Sequence, residues 1–492
     1  MNADDAQEGA APRGTAPGRG TVQILISRMF LLVSGFGVSI ILARGLGPVD
    51  FGIYGVVMSV LVWFERVISA GIPGATATLL LRGDEPRAVV QRSARLLLTF
   101  VALPLFVAVW LLAPALSAYL GIPSGTTLIR IAAFNLPAMA AYFAYDGIFN
   151  GQRMFAAQSL LQIAQSAAKL AGIALLVLVG LSVTGAFVAH VAATLIAVLM
   201  VPMRFRLDQG RASGAVMRRM VRIAVPMGAY LVALSVLMNL SLWQLQAAPN
   251  QSAADVGFYV AGLNLTRIMM MVPSTVSGVL FASLAWAISS SRPELARKYF
   301  QEAVRFALIV TAPACVVLTM DASAVLELLY GEDYVAGGPI LAALCVAFAL
   351  VALLDVLFHG LMAHGRFALS AAILIALVPV LFALNSVLIP WAGAVGAAVA
   401  SMIAMSLGAA AGAALAWRNL TAPLSLRTFT RIGFACVVVG FACAQVSVGG
   451  GWLVAKMSSL AVLYLAILWV TGEISTKDLR PFAVWKAETR SD

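Results

Sequence analysis

Fourteen apolar stretches follow one another along this chain, each near the 20 or so residues that a helix needs to cross a bilayer. They cover approximately 21–42, 52–80, 94–115, 127–149, 155–180, 183–203, 222–246, 256–287, 299–320, 337–360, 367–389, 393–416, 431–448 and 452–471. In hydrocarbon no water satisfies a free N–H or C=O, so such stretches are expected as helices packed side by side. Of the 492 residues 62% are hydrophobic and only 11% are charged, with a mean hydropathy of +0.96. An average soluble domain carries about 25% charged residues, and this chain lacks the polar surface to be one. The connections are short, and none is long enough for a separate folded domain. Residues 1–20 are polar and rich in Gly, Pro and Ala, and read as a disordered tail. The run from Thr21 to Leu42 is too long for a signal-peptide core and has no convincing cleavage site, so it is expected to remain as the first span.

Charge placement orients the spans. With the N-terminus taken as cytoplasmic, the tails and even-to-odd connections, with the span ends that adjoin them, hold 25 of the 32 Lys and Arg residues, six of them at the junction of spans 6 and 7. The opposite side keeps only Arg44, Arg130 and Lys456. That asymmetry follows the positive-inside rule and supports an even number of spans with both termini cytoplasmic. It also accounts for the net charge of +11 without nucleic acid, since the charges spread over one membrane face and form no groove with stacking aromatics. The four cysteines lie in apolar runs without metal-ligand spacing and read as small core residues. Nothing calls for a metal or another cofactor.

The passage Leu42–Val56, LARGLGPVDFGIYGV, crowds Gly45, Gly47, Pro48, Gly52 and Gly55 into one connection. The chain repeats it: Gly52-x-Tyr54 matches Gly257-x-Tyr259. Further matches pair Gly147 with Gly360 and Gly185 with Gly393, and residues 119–134 hold the same relative place as 329–344. The chain therefore reads as two six-span repeats, spans 1–6 and 7–12, followed by a final pair. An even-numbered repeat keeps its orientation, so the halves are parallel. The expected divisions are a tail at 1–20, an N-lobe at 21–203, a basic connection at 204–221, a C-lobe at 222–417, the last pair at 418–471 and a cytoplasmic tail at 472–492. Glycines at the repeated turn let the chain reverse and let helices approach closely.

The passage LARGLGPVDFGIYGVVMSVLVWFERVISAGIPGATATLLLR resembles the first hairpin of the polysaccharide-exporting oligosaccharide flippases. These belong to the superfamily of multidrug, oligosaccharidyl-lipid and polysaccharide exporters. The helix count, the repeat, the basic connection and the turn NGQRMF after span 4 extend the resemblance over nearly the whole chain. It implies an all-α polytopic fold with two six-helix lobes around a central cavity. It implies alternating access that carries an undecaprenyl-pyrophosphate type lipid-linked glycan to the outer leaflet of a bacterial-type inner membrane. Glycosyltransferases and a glycan polymerase of the same pathway would then be its partners.

A pyrophosphate and its sugars cannot cross hydrocarbon bare, and cations inside spans are functional candidates. Arg66 lies fourteen residues past Gly52 in span 2, and Arg267 ten past Gly257 in the equivalent span 8. The two differ by about one helical turn, and each precedes a proline, Pro73 and Pro273. Interrupted helices at matching places in two repeats point to a transport site. Arg28 in span 1 is a third candidate, although it lies near enough to the membrane edge to snorkel. In related lipid II flippases, arginines on helices 1, 2 and 8 serve the head group. The resemblance carries that role to Arg28, Arg66 and Arg267 by helix and depth. On span 5, Gln158, Gln162, Gln165 and Lys169 share one face. They read either as interhelix hydrogen bonding within a lobe or as a cavity wall, and a lysine is hard to hide in a dry lobe. Glu65, Asp146 and Asp355 are candidates for a coupling ion, or for structural ion pairs. His190, His359 and His364 are scattered and receive no role.

Two other readings compete. A cation-coupled multidrug antiporter of the same superfamily would share the repeat, but it usually needs an acid deep in helix 1, and span 1 has none. A membrane-embedded glycan polymerase or ligase tends to carry a large external loop, and no connection here is large. The topology is testable with reporter fusions. Fusions after Asp50, Gln251 and Val335 are expected to read as external, and those after Gly83, Gly210 and Gly365 as internal. An internal signal at Gln251 would break the parallel-repeat argument.

Overall fold

The computed structural model describes residues 17–474 except 123, 181, 206, 209, 250, 420–424 and 447. The expected tails up to residue 16 and from 475 lie outside the described residues. Helix starts at Pro17, four residues inside the expected N-terminal tail. Among the described residues every regular element is helical, as backbone satisfaction in lipid requires. The chain divides into two compact units. The first comprises residues up to Leu46 and Ile53–Ser235, the second Gly47–Gly52 and everything from Val236. The boundary between the two units falls at Ser235, within the chain's eighth helix.

The first unit contains most of α1 (Pro17–Ser69), α2 (Ile72–Arg82), α3 (Arg87–Tyr119), α4 (Gly125–Ala133), α5 (Asn135–Gly151), α6 (Phe155–Leu178), α7 (Val183–Arg204) and the start of α8 (Gly214–Ala247). Within α1, Gly47 leaves helical geometry at φ 73°. Contacts on its two sides show that the chain reverses there. Ser27, Gly37 and Gly45 meet Gln162, Leu170 and Val177 in turn, so the first limb runs with α6. The second limb and α2 run with α5, through Glu65–Asn135, Pro73–Gly147 and Ala77–Gly151. Asp146 and Met139 on α5 meet Gln158 and Gln165 on α6, so those two helices are antiparallel. The limbs of α1 are therefore antiparallel as well. The start of α8 belongs here because Ala224 and Gly228 press on Gly71 and Ala70, while Val216 and Met220 join a core with Leu79 and Ala94.

The second unit continues with α9 (Ala253–Ser289), α10 (Pro293–Met320), α11 (Ala322–Tyr330), a 3-10 turn (Glu332–Gly337), α12 (Gly338–Ala363), α13 (Phe367–Asn419), α14 (Leu426–Gln445) and α15 (Trp452–Val470). Within α13, Ala392 and Gly393 leave helical geometry, and Leu388 and Leu377 pack on Gly396 and Gly408. This helix too is a hairpin. The last pair, α14 and α15, is fixed to α10 at both ends. Lys456 Nζ lies 2.8 Å from Asp321 Oδ1 at one end. At the other, buried Glu473 takes Arg305 at 2.9 Å and Arg431 at 3.2 Å. Val317, Val439 and Tyr464 fill the space between. Removing one member of such a buried pair costs about 3–5 kcal/mol, because the partner's charge is left unpaired.

Among the described residues eleven helices are long and apolar enough to cross a membrane, or twelve if the pair Ala253–Met271 and Pro273–Ser289, bent by 41°, is one span. That count does not return the fourteen spans expected from the sequence. Two of the eleven, Ile26–Arg82 and Phe367–Arg418, contain 57 and 52 residues. Each is more than twice the ~20 residues that one crossing needs, and each contains one of the reversals just described.

The repeated glycine turn has a structural reason. The segment Gly47–Gly52 packs on the start of α9, where a Cβ on Gly52 would lie 2.9 Å from the backbone N of Gly257. A Cβ on Gly257 would in turn collide with the carbonyl oxygen of Pro48. Phe51 packs beside Tyr330 and Tyr334, at 6.1 and 6.2 Å between ring centroids, and closes the same contact. Gly257→Val should cost about 1–3 kcal/mol and lower the thermal midpoint of the purified protein in detergent. Gly433→Ala, on an exposed face of α14 with open space around it, should leave the midpoint unchanged or slightly raised. Equal midpoints for Gly257→Val and the parent would show that the contact yields cheaply.

Candidate functional site

Polar side chains at the expected positions gather in the first unit. Glu65, on the second limb of α1, is only 9% exposed. Its Oε1 accepts a hydrogen bond from Asn135 Nδ2 at 2.5 Å, and the same Nδ2 lies 3.2 Å from His190 Nε2. Asn135 opens α5 and His190 sits on α7, so three helices converge on one carboxylate. Lys169 on α6 and the adjacent Arg66 act electrostatically on the same group. Asn135 Oδ1 and His190 Nδ1 are buried without a hydrogen-bond partner in the protein. Such orphaned atoms carry a desolvation cost of about 1–3 kcal/mol each, and native folds retain few of them.

The stripe on α6 is joined to its neighbours. Gln158 and Gln162 donate to Asp146 Oδ1 at 3.0 and 3.3 Å, and Ser27 donates to Gln162 Oε1 at 3.1 Å. Gln165 donates to Thr194 Oγ1 at 3.2 Å. Arg28 acts electrostatically on Asp146. The stripe thus ties α1, α5 and α7 to α6. Arg28 and Arg66 are exposed on the surface of the protein, while Lys169 is half-buried. An exposed guanidinium at membrane depth is costly against lipid and cheap only beside water or an anion.

The second unit is built differently. Arg267 donates to Asn239 Oδ1 at 2.9 Å. Asp355 is buried on α12 with His359 Nδ1 at 3.4 Å. Its larger network is neutral. Asn385 on α13 bonds Ser241 at 3.0 Å and Gln244 at 2.8 Å on α8, and Ser241 lies 2.8 Å from Ser401. Among the described residues no group of His, Cys, Asp and Glu is arranged to hold a metal ion.

The structure therefore brings Glu65, Arg66 and Lys169 into one cluster and Arg28, Asp146 and Gln162 into another. Gln165 serves the α6–α7 contact. Arg267 and Asp355 occupy separate places in the second unit. Sequence reasoning missed Asn135 and His190. The available signal was a lone histidine in the otherwise apolar run VTGAFVAHVAATL, which has meaning only once α5 supplies Asn135.

The all-helical fold with two back-folding helices is shared with solved transporters of lipid II and of drugs. The solved lipid II flippase MurJ in an inward closed conformation superposes with a TM-score of 0.76 at 11% identity, covering 91% of this chain and 98% of that one. An inward-facing multidrug resistance MATE family transporter of the MOP superfamily follows at 0.69 and 15%, covering 82% and 98%. A MOP superfamily transporter from Pyrococcus furiosus stands at 0.61 and 13%, covering 82% and 95%. Identities this low establish the fold alone. Among proteins of curated function none matches by sequence. The sequence model of one family, described as polysaccharide biosynthesis protein, matches residues 18–285. That is more than half of the chain, and the protein belongs to this family.

The Glu65–Asn135 bond is testable by a double-mutant cycle. Asn135→Leu should lower the thermal midpoint, because it strips the donor from a buried carboxylate. In a Glu65→Leu background the same change should cost less, with a coupling of about 0.5–3 kcal/mol. Simple additivity would show that the two side chains do not depend on each other.

Proposed function

We propose that this protein is a flippase that carries a lipid-linked oligosaccharide or polysaccharide unit, of the undecaprenyl-pyrophosphate type, from the cytoplasmic to the outer leaflet by alternating access. The reading rests first on the family, whose description is polysaccharide biosynthesis. The observation that carries it is the placing of cations within membrane-spanning helices, Arg28, Arg66 and Lys169 in the first unit and Arg267 in the second. These groups are retained at a cost that an anionic head group would offset. In this reading Arg66 and Arg267 bind the phosphates, Arg28 and Lys169 assist, and Gln162 and Gln165 line the path of the sugars. Glu65, Asp146 and Asp355 are the places where a coupling ion would act. The chemistry is movement without bond cleavage, so the protein is a transporter and no enzyme. It works in a bacterial-type inner membrane with both termini cytoplasmic, beside glycosyltransferases and a glycan polymerase of the same pathway.

The likeness to a MATE family transporter supports a second reading, a cation-coupled multidrug antiporter. Electrostatics decides between them. Exposed arginines at membrane depth repel a cationic drug and attract a phosphate, and both effects grow as the local dielectric falls. A glycan polymerase or ligase finds less support, because the described connections are short turns.

Arg66→Ala and Arg267→Ala should insert and accumulate normally, yet fail to restore glycan export in a deletion strain. Lysine replacements should keep partial export if charge is the main demand, and lose it if two-point contact matters. Normal export by the double alanine variant at native protein level would sink the phosphate-binding role.

A further inference from the structure

Charges in the second unit also gather away from the transport residues. The turn from α9 into α10 and the turn from α12 into α13 enclose a cavity of about 330 Å³. Its polar lining is Arg292, Arg297, His364 and Ser291, and its apolar lining includes Ile288, Ala296 and Phe300. Among the described residues no carboxylate lines it. Phe300 is 1% exposed and forms an apolar floor. The guanidinium of Arg292 lies over the ring of Trp286, 5.5 Å from its centroid. Ile288 is itself exposed, so the apolar lining reaches the surface of α9, while exposed Trp286 holds Arg292 from another face of the same helix.

We propose that this cavity binds the phosphate head group of an anionic phospholipid, with an acyl chain leaving over Ile288. Two guanidiniums suit a phosphate through charge-assisted hydrogen bonds. The apolar lining distinguishes an amphiphile from free phosphate, which would gain nothing from Ile288, Ala296 or Phe300. An exposed tryptophan beside an arginine is the arrangement expected at head-group depth. Both turns lie at the basic end of the spans, the side on which charge bias places the cytoplasm. Basic pockets between helices on that side are suited to anionic lipid head groups. The inference does not depend on the transported substrate.

The test is lipid retention by the purified full-length protein in native mass spectrometry, after equilibration with phosphatidylglycerol or phosphatidylcholine in nanodiscs. The parent should prefer phosphatidylglycerol by about tenfold or more, at about 1 kcal/mol for each arginine near the surface. Arg292→Gln with Arg297→Gln should bring the preference close to one. Arg292→Lys with Arg297→Lys, which keeps the charge, should retain most of it and guards against a folding artefact. Arg427→Gln, an exposed arginine at the start of α14, should behave as the parent. Excess inorganic phosphate should not displace the lipid. Equal retention of both lipids by the parent, or an undiminished preference in the double glutamine variant, would overturn the proposal. Displacement by inorganic phosphate would assign the cavity to free phosphate and overturn the lipid as its occupant.

Discussion

The cost of placing charge in hydrocarbon governs this molecule. Apolar helices can pack in many ways with similar energy, because lipid tails and leucines are equally apolar. A buried carboxylate is less permissive. Glu65 must find a donor, and Asn135, at the first turn of α5, supplies it at 2.5 Å. That one bond sets the register of the second limb of α1 against α5, and Gly147 and Gly151 then let α2 continue along the same neighbour. His190 is drawn to the other side of the same amide, which brings α7 in. The polar groups thus choose one packing from many that the apolar residues would allow.

Glycine acts at the opposite extreme, where two backbones must nearly touch. The turn at Gly47–Gly52 and the start of α9 carry matching glycine motifs in the sequence, and in the structure those motifs meet. The repeat therefore brings together two copies of a backbone surface with no side chain to separate them. An alanine at 257 would collide with Pro48, so this position admits only glycine without a shift of the chain. Aromatic rings of Phe51, Phe258, Tyr330 and Tyr334 surround the meeting point and supply the apolar contact that two glycines cannot.

What the sequence made legible was what depends on local pattern. The spanning runs, the back-folding turns near Gly47 and Gly393 and the polar face of α6 could be read, because hydropathy and helical period are properties of neighbours in the chain. The glycine repeat could be read because an offset can be counted. The count of crossings differs where α1 and α13 each hold two antiparallel limbs in one helical run, and where a 41° bend divides α9. The partners of Glu65 could not be read. Adjacent residues on a helix point about 100° apart, which argued against a pair with Arg66, but nothing local names a residue seventy positions away. Lys456 shows the same limit. As a sequence it is an isolated cation at the edge of the last span, and only the fold reveals Asp321 beside it.

The two units join their helices with different chemistry. In the first the interhelix network is charged, with Glu65, Asp146 and Lys169 held among amides. In the second the larger network, Asn385, Ser241, Ser401 and Tyr259, is neutral, beside the separate contacts of Asp355 with His359 and Arg267 with Asn239. A neutral network of this kind fixes helices without responding to a charged ligand, because it has no net charge to be compensated. A network holding buried carboxylates and an ammonium does respond, since an anion or proton arriving nearby alters the balance that keeps each group buried. In the first unit, therefore, the charged side chains are the ones that hold the helices together, through Glu65–Asn135 and Asp146–Gln158. In the second, ion pairs at both ends of α10 bind α14 and α15.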